Sequence, residues 1–195
     1  MPRDRGQSRD GLAVPGCPAL GSAGQSASEL RARRSSDPIV LSHARALLTS
    51  TTAPTSYIDA DARDTAKILA EAAQLLDLGQ PTAVMLIAVL HCIPAEDDPY
   101  RLVSDLMDAV PPGSFLAITH PARDQLAIAT RAEESLTKSM RQKVTFRTHE
   151  QVSRFFGGLD LVDPGVVPLQ EWHADSILDI NSPPTAMWGG VARKA

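Results

Sequence analysis

Polar residues follow three stretches of this sequence, at the points where strands of an α/β protein would end. They are Asp59, Asp61 and Asp64 after a stretch ending at residue 58, His91 after the apolar run 83–90, and His120 after the stretch 115–119. Ligands of open parallel sheets bind just beyond the carboxyl ends of the strands, so chemistry is expected here. An imidazole titrates near neutral pH and can take a proton from a substrate, which makes His91 a candidate general base and His120 a second candidate. The alternative for His91 is a histidine that only makes a hydrogen bond at a strand end.

The apolar run from Ala83 to Leu90 is the strongest strand signal in the chain. It is bounded by Gly79 and Pro81 on one side and by Pro94 on the other. A run of this length between breakers favours a strand buried on both faces. Such strands belong to parallel sheets that helices cover on both sides. We therefore expect this run in the middle of a sheet between two layers of helices.

The rest of the sequence predicts alternating helices and strands. Helices are predicted after Asp37 and Pro38, from Asp64 to a stop at Gly79, from Asp98 to Val110, over residues 123–140, and from Thr148 to Phe156. Strands are predicted at residues 57–58, 114–120 and 186–193, with a broken strand between residues 158 and 169. Alternation followed by an antiparallel pair predicts an α/β fold whose mostly parallel sheet ends in a C-terminal antiparallel hairpin.

The composition argues against several classes of partner and ligand. The chain has 195 residues and a formal charge of -4, which gives no electrostatic reason to expect a nucleic acid or an anionic membrane. Cys17, Cys92 and the five histidines lack the spacing of a disulfide framework or a zinc site, so no metal is expected. No apolar run reaches the roughly 18 residues that span a bilayer, and no signal peptide is evident, so a cytoplasmic location is expected. The absence of a GxSxG motif argues against an α/β hydrolase.

Residues 1–36 differ from the rest of the chain. They are rich in Arg, Ser, Gly, Ala and Pro and contain no aromatic residue and no isoleucine. Such a segment cannot bury enough apolar surface to offset the entropy of ordering, so we expect disorder with a short helix near Ser28 to Arg34. Residues 16–24 are similar to a glycine-rich nucleotide loop, but only a weak strand signal precedes them, which favours a flexible tail.

Six stretches of the chain together resemble one family of enzymes. They are residues 37–48, 57–64, 88–94, 111–120, 154–167 and 188–194. In this order they resemble the Rossmann-like S-adenosylmethionine (SAM)-dependent methyltransferases, and in particular a bacterial family described as S-adenosyl methyltransferase. The resemblance implies a Rossmann-like methyltransferase sheet, SAM as the cofactor, and transfer of its methyl group to a small-molecule acceptor.

The resemblance also implies roles for individual residues. In such enzymes an acidic residue after the third strand accepts a hydrogen bond from the adenine amino group, and Asp61, with Ala62 behind it, matches that position. Val89, Leu90 and His91 match the residues that line the cleft for cofactor and substrate. The alternative for Asp61 is a residue that only shapes a turn or caps a helix.

The beginning of the chain departs from the family pattern. The family begins with a strand and a glycine-rich loop, and its second strand ends in an acidic residue that binds the ribose; here Ser35 occupies that position. We therefore expect missing or replaced N-terminal strands, with residues 1–36 arising from a wrong start, a frameshift or a truncated gene. Residues 37–195 would then form an incomplete domain whose exposed sheet edge favours self-association. The alternative function is a non-catalytic α/β remnant that acts as an interaction module.

Overall fold

Strands and helices alternate along the chain in the computed structural model, which describes residues 29–32, 55–125, 129–172 and 186–195. The strands are β1 (Glu29–Ala32), β2 (Thr55–Ile58), β3 (Ala83–Ile87), β4 (Phe115–Pro121), β5 (Asp160–Leu161), β6 (Val167–Pro168) and β7 (Met187–Arg193). The helices are α1 (Thr65–Ala72), α2 (Pro99–Asp108), α3 (Ala129–Met140) and α4 (His149–Ser153). The helix predicted after Asp37 lies outside the described residues.

The strands form two sheets. β1 and β2 pair in parallel with each other, and the larger sheet has the order β3-β4-β7-β5, with β6 also paired to β7. β3 and β4 are parallel, whereas β7 runs antiparallel to β4, β5 and β6. The predicted α/β fold with a C-terminal antiparallel unit is therefore confirmed. The expectation of a mostly parallel sheet is confirmed only in part, because the strands around β7 are all antiparallel to it.

The position predicted for the apolar run 83–90 is wrong. β3 lies at the end of its sheet and spans only residues 83–87, and exposed and half-buried residues alternate along it. Val84 and Leu86 pack against the main core, while Met85 and Ile87 face outward. The run is uniformly apolar, but only one face of β3 is covered. An apolar run therefore did not distinguish a strand buried on one face from a strand buried on both.

The helix predicted near Ser28 to Arg34 is also wrong. Residues 29–32 form β1, whose residue Glu29 is in register with Thr55 and whose Ala32 is in register with Ile58. In the sequence, Leu30 and Ala32 alternate with charged residues, which is the period of a strand. A strand is therefore present before residue 37, where strands were expected to be missing or replaced.

The predicted helix starts are confirmed by their caps. The Asp64 carboxylate accepts the Lys67 N–H at 3.0 Å, and the Asp98 carboxylate accepts the Arg101 N–H at 3.2 Å. Thr148 forms the predicted capping box with Gln151. These side chains satisfy N–H groups that have no partner within the first turn of a helix.

Two predicted helix boundaries need correction. α1 ends at Ala72, because the Gln74 and Leu75 N–H groups bond carbonyls three residues back and tighten the chain into turns. Gly79 is therefore not the helix stop. α3 begins at Ala129 rather than at residue 123. The Arg123 N–H bonds the Arg147 carbonyl at 3.0 Å, which keeps the backbone after β4 out of a helix.

The main core lies between one face of the larger sheet and helices α2 and α4. Its buried residues include Leu102, Val103, Leu106 and Met107 of α2, Leu116 and Ile118 of β4, Val152 of α4, and the following Phe155 and Phe156. A second, smaller cluster of Ile58, Ala60 and Ala72 joins β2 to α1. In the described part of the chain, no helix is long and apolar enough to cross a membrane.

Candidate functional site

Arg63 joins the loops that follow β2 and β3. Its guanidinium donates to Asp61 at 2.6 Å and to Asp97 at 2.9 Å. Asp61 follows β2, and Asp97 belongs to the short 3-10 turn Ala95–Asp97 that comes after β3. The carboxyl ends of β2 and β3 therefore lie at the same side of the molecule. This arrangement brings Asp61 to the side on which His91 follows β3.

Asp61 is held in one orientation by Arg63. One carboxylate oxygen accepts hydrogen bonds from the backbone N–H and the Nε–H of Arg63, each at 3.0 Å. The other oxygen accepts a hydrogen bond from a terminal N–H of the Arg63 guanidinium. The Asp61 side chain is still 39% exposed. Asp61 and, to a smaller extent, Asp97 raise the pKa of the Arg63 guanidinium above its usual value, so it stays charged. The neighbouring Ala62 is half-buried and packs against the main core.

The chain turns sharply where β3 ends. Ala88 has a φ of 50°, in the left-handed region that costs an L-residue about 1–2 kcal/mol. Its N–H is held by the Thr119 carbonyl at 3.2 Å and by the Thr119 hydroxyl at 3.0 Å. This turn ends β3 before the predicted boundary and starts the 3-10 turn Leu90–Cys92. Val89 is half-buried at the turn, whereas Leu90 is fully buried in the main core.

His91 is anchored through its backbone and half-buried through its ring. Its carbonyl accepts the Thr145 N–H at 2.8 Å. Its Nδ1 atom is buried and has no hydrogen-bond partner among the described residues. Burial, and then the positive charge of Arg147, lower the pKa of His91 below its usual value near 6.5. The ring is therefore neutral at pH 7 and keeps a basic nitrogen, as a general base requires.

Arg147, which was not predicted from the sequence, holds this loop in place. Its side chain is buried, with the residue 3% exposed. One terminal nitrogen donates to the Leu90 carbonyl and the other to the Ile93 carbonyl, both at 2.8 Å. These bonds fix the backbone on both sides of His91. The local sequence does not predict that Arg147 is buried, because a single arginine after Phe146 is equally compatible with an exposed side chain.

Arg147 also sets the protonation of His120. The Arg147 guanidinium lies 2.8 Å from the His120 Nε2 atom. A guanidinium can only donate, so Nε2 is the acceptor and the proton sits on Nδ1, which donates to the Pro121 carbonyl at 2.9 Å. Burial, with a smaller contribution from the charge of Arg147, lowers the pKa of His120 to about 3. His120 is thus a buried neutral acceptor, and its ring lies 6.4 Å from that of His91.

Arg147 carries its charge without an ion pair to any described carboxylate. Three neutral acceptors and the ring of Phe155, 5.4 Å from the guanidinium carbon, surround it. Among the described residues, no group of three or more His, Cys, Asp or Glu side chains is placed to hold a metal ion. Hydrogen bonds from Arg147 therefore hold together the loop after β3 and the end of β4.

Replacing Arg147 with methionine should strongly destabilise the protein. The change leaves two buried acceptors, the Ile93 carbonyl and the His120 Nε2 atom, without a donor, each at a cost of about 1–3 kcal/mol, so we expect a loss of about 2 kcal/mol or more in unfolding free energy. Urea denaturation measures it. The exposed Arg101, which forms only a 3.8 Å ion pair with Asp105, provides the control: Arg101→Met should change the free energy by less than about 0.5 kcal/mol. Equal effects of the two substitutions would contradict a structural role for Arg147.

The protein should lose stability in acid partly through His120. Its folded-state pKa, about 3, lies below the usual value near 6.5, so the unfolded chain binds more protons between these pH values. Its contribution is complete above pH 6.5 and is lost as the pH falls towards 3, by at most about 1.4 kcal/mol per pH unit. Urea denaturation across this range should show a shallower slope for His120→Gln. Nitrogen NMR of the ring supplies a direct check, because a His120 that gains a proton near pH 6.5 contradicts this reasoning.

Solved structures of methyltransferases resemble this fold. A DUF574 family protein from Streptomyces avermitilis superposes with a TM-score of 0.73 at 34% identity, covering 86% of this chain and 65% of that chain. A proposed methyltransferase from Thermobifida fusca superposes with a TM-score of 0.71 at 29% identity, covering 85% of this chain and 62% of that chain. This chain therefore spans less than two thirds of either protein. A search of curated proteins found no match.

A more distant structure shares the fold alone. A SAM-dependent methyltransferase from Methanosarcina mazei superposes with a TM-score of 0.52 at 10% identity, covering 86% of this chain and 82% of that chain. The expected Rossmann-like methyltransferase fold is confirmed.

A family model described as S-adenosyl methyltransferase matches residues 30–195. The matched range takes in β2 to β7, Arg63, His91, His120 and Arg147. The match confirms the resemblance found in the sequence. This chain belongs to the S-adenosyl methyltransferase family.

Proposed function

We propose that this chain binds SAM beyond the ends of β2 and β3 and transfers its methyl group to a small-molecule acceptor. The observation that carries the proposal is the Arg63 bridge, which brings Asp61 and the loop after β3 to one side of the molecule. Family membership supports the choice of cofactor. A cytoplasmic location stays a prediction from the sequence.

The described residues fit the adenine end of the cofactor. The Asp61 carboxylate is an acceptor-only group suited to the adenine amino group, and its half-exposed side chain is already oriented by Arg63. Ala62 and Val89 are half-buried and supply apolar surface beside it. Leu90 is fully buried, so it would support the cofactor as packing beneath the loop.

His91 is the proposed general base. When bound, SAM supplies a methyl group activated by the positive charge on its sulfur. The protein's own contribution is then to hold the acceptor in line, to exclude water and to remove the acceptor's proton. A lowered pKa keeps the His91 ring neutral at pH 7, so it can accept that proton. Arg147 and Thr145 fix the backbone from which the ring projects.

An open surface depression lies along α3, and none of Asp61, Val89 and His91 lines it. It has a volume of about 400 Å³, in the range of sites for small ligands, and α3 forms one side of it. Arg123 and Glu133, which pair at 2.6 Å, line the cavity together with Val144. Val144 directly precedes Thr145, the residue bonded to the His91 carbonyl.

A non-catalytic interaction module is the second candidate function. The observation that favours it is the uncovered outer face of β3, where a complete α/β sheet would have further layers. The two candidates differ in whether the chain binds the cofactor, so the following experiments separate them.

Replacing Asp61 with alanine should weaken binding of S-adenosylhomocysteine (SAH), the product form of the cofactor. Loss of a hydrogen bond to a charged acceptor costs about 1.5–3 kcal/mol, which corresponds to roughly tenfold to hundredfold weaker binding. Isothermal titration calorimetry measures the dissociation constant. Asp59→Ala is the matched control, because Asp59 lies in the same loop and contacts Lys67 through its backbone carbonyl. Wild-type protein that produces no binding heat at millimolar SAH would favour the interaction module.

Replacing His91 with glutamine should lower turnover without weakening SAH binding. Loss of a general base reduces the rate by about a hundredfold or more. Formation of SAH from SAM, measured with a panel of small hydroxyl and amine acceptors, reports turnover. In the wild type, activity should fall only below pH 6.5, because the lowered pKa keeps His91 neutral above that value. An His91→Gln variant that retains full turnover and this pH profile would exclude the role.

A further inference from the structure

Asp124 accepts hydrogen bonds from two separate elements of the fold. One carboxylate oxygen accepts the backbone N–H of His149, the first residue of α4, at 2.8 Å. The other accepts the indole N–H of Trp188, on β7, at 3.0 Å. Asp124 itself lies three residues after Pro121, where β4 ends. A single carboxylate therefore joins the segment after β4 to the start of α4 and to β7.

The segment after β4 also holds the backbone of Arg147. The Pro121 carbonyl accepts the Arg147 N–H at 3.3 Å, and the Arg147 carbonyl accepts the Arg123 N–H at 3.0 Å. The bond from His149 to Asp124 is the next contact between the same two segments, two residues after Arg147 on one and one residue after Arg123 on the other. Asp124 therefore closes this short pairing on the far side of Arg147.

Trp188 connects the pairing to the strand that carries His120. The register of β4 and β7 sets Trp188 opposite His120. The Trp188 side chain packs against the main core, and its ring lies 4.9 Å from the ring of His149. His120 in turn accepts a hydrogen bond from the Arg147 guanidinium. The bond between Asp124 and Trp188 therefore keeps the backbone of Arg147 aligned with the ring that its guanidinium contacts.

We propose that Asp124 is a positioning residue for His91 and acts through Arg147. Asp124 fixes the backbone of Arg147, and Arg147 fixes the Leu90 and Ile93 carbonyls on either side of His91. The inference rests on the proposed function, in which His91 is the general base. A displacement of about 1 Å in a reacting group can slow a reaction by about a hundredfold, so a loosened Arg147 is expected to lower turnover.

A double-mutant cycle tests the link. Asp124→Asn replaces one acceptor oxygen with an NH2 group, and Trp188→Phe removes the indole donor. Each should lower kcat for formation of SAH from SAM, measured with small hydroxyl and amine acceptors, by about tenfold. The KM for SAM should stay within about twofold, because Asp61 lies in the loop after β2. The double variant should be no slower than the slower single variant, because either change breaks the same link.

Asp77→Asn is the matched control for this cycle. Like Asp124, Asp77 is exposed, and its carboxylate accepts a backbone N–H, that of Gly79, at 2.9 Å. It lies in the turn before β3, so its replacement should leave kcat unchanged. An unchanged kcat in Asp124→Asn, or effects of Asp124→Asn and Trp188→Phe that multiply in the double variant, would overturn the inference.

Hydrogen exchange tests the link to Arg147 without any turnover. In Asp124→Asn, the Arg147 and Arg123 N–H groups should exchange about tenfold faster than in the wild type, because the pairing loses its last contact. The Phe115 N–H, bonded to the Thr82 carbonyl at the other end of β4, should exchange at the wild-type rate. Faster exchange at all three groups would indicate general destabilisation and would reject a positioning role.

The wild type distinguishes failure of this inference from failure of the proposed function. A wild type that neither binds SAH nor forms it from SAM rejects the role of His91 and, with it, the positioning role of Asp124. An active wild type whose Asp124→Asn variant keeps both its kcat and its slow exchange at Arg147 rejects the inference about Asp124 alone.

Discussion

The buried guanidinium of Arg147 is the interaction on which the site depends. A charge removed from water is costly unless its donors find acceptors, and here two backbone carbonyls and the His120 ring accept three of the five N–H donors of the guanidinium. The carbonyls belong to the loop after β3, and the ring belongs to His120 near the end of β4. One side chain therefore connects two neighbouring strand ends with the segment that leads into α4. The loop that carries His91 owes its position to this buried group.

Arg63 also connects two loops, but it does so at the protein surface. It links the loop after β2 to the turn after β3, but its side chain and that of Asp61 are both about 40% exposed. Ion pairs in such positions contribute little to stability and are screened by salt, whereas the buried bonds of Arg147 are not. The two halves of the proposed adenine site are therefore fixed unequally: the half after β3 is rigidly held, and the half after β2 depends on a solvent-accessible ion pair.

The sequence predicted local features well and the environment of β3 poorly. Asp64, Asp98 and Thr148 were identified as caps because a cap involves only residues within one turn of helix. Whether one or both faces of β3 are buried depends on which strands and helices pack around it. The residues of the apolar run do not indicate which elements those are. The burial of Arg147 was missed for the same reason, because its acceptors lie more than 25 residues away in sequence. The positions of Asp61 and His91 just after β2 and β3 were predicted correctly because they follow from chain order, and the roles proposed for these residues stay predictions.

The placement of β7 has a consequence for the order in which the sheet forms. β7 lies between β4 and β5, and its register joins Phe115 to Arg193 and Pro121 to Met187. A ladder between such distant residues requires closure of a long loop before any hydrogen bond compensates the lost chain entropy. The parallel pair β3 and β4, linked through α2, closes a shorter loop. Collapse should therefore begin around α2 and the β3-β4 pair, with docking of β7 as the slow step that completes the sheet.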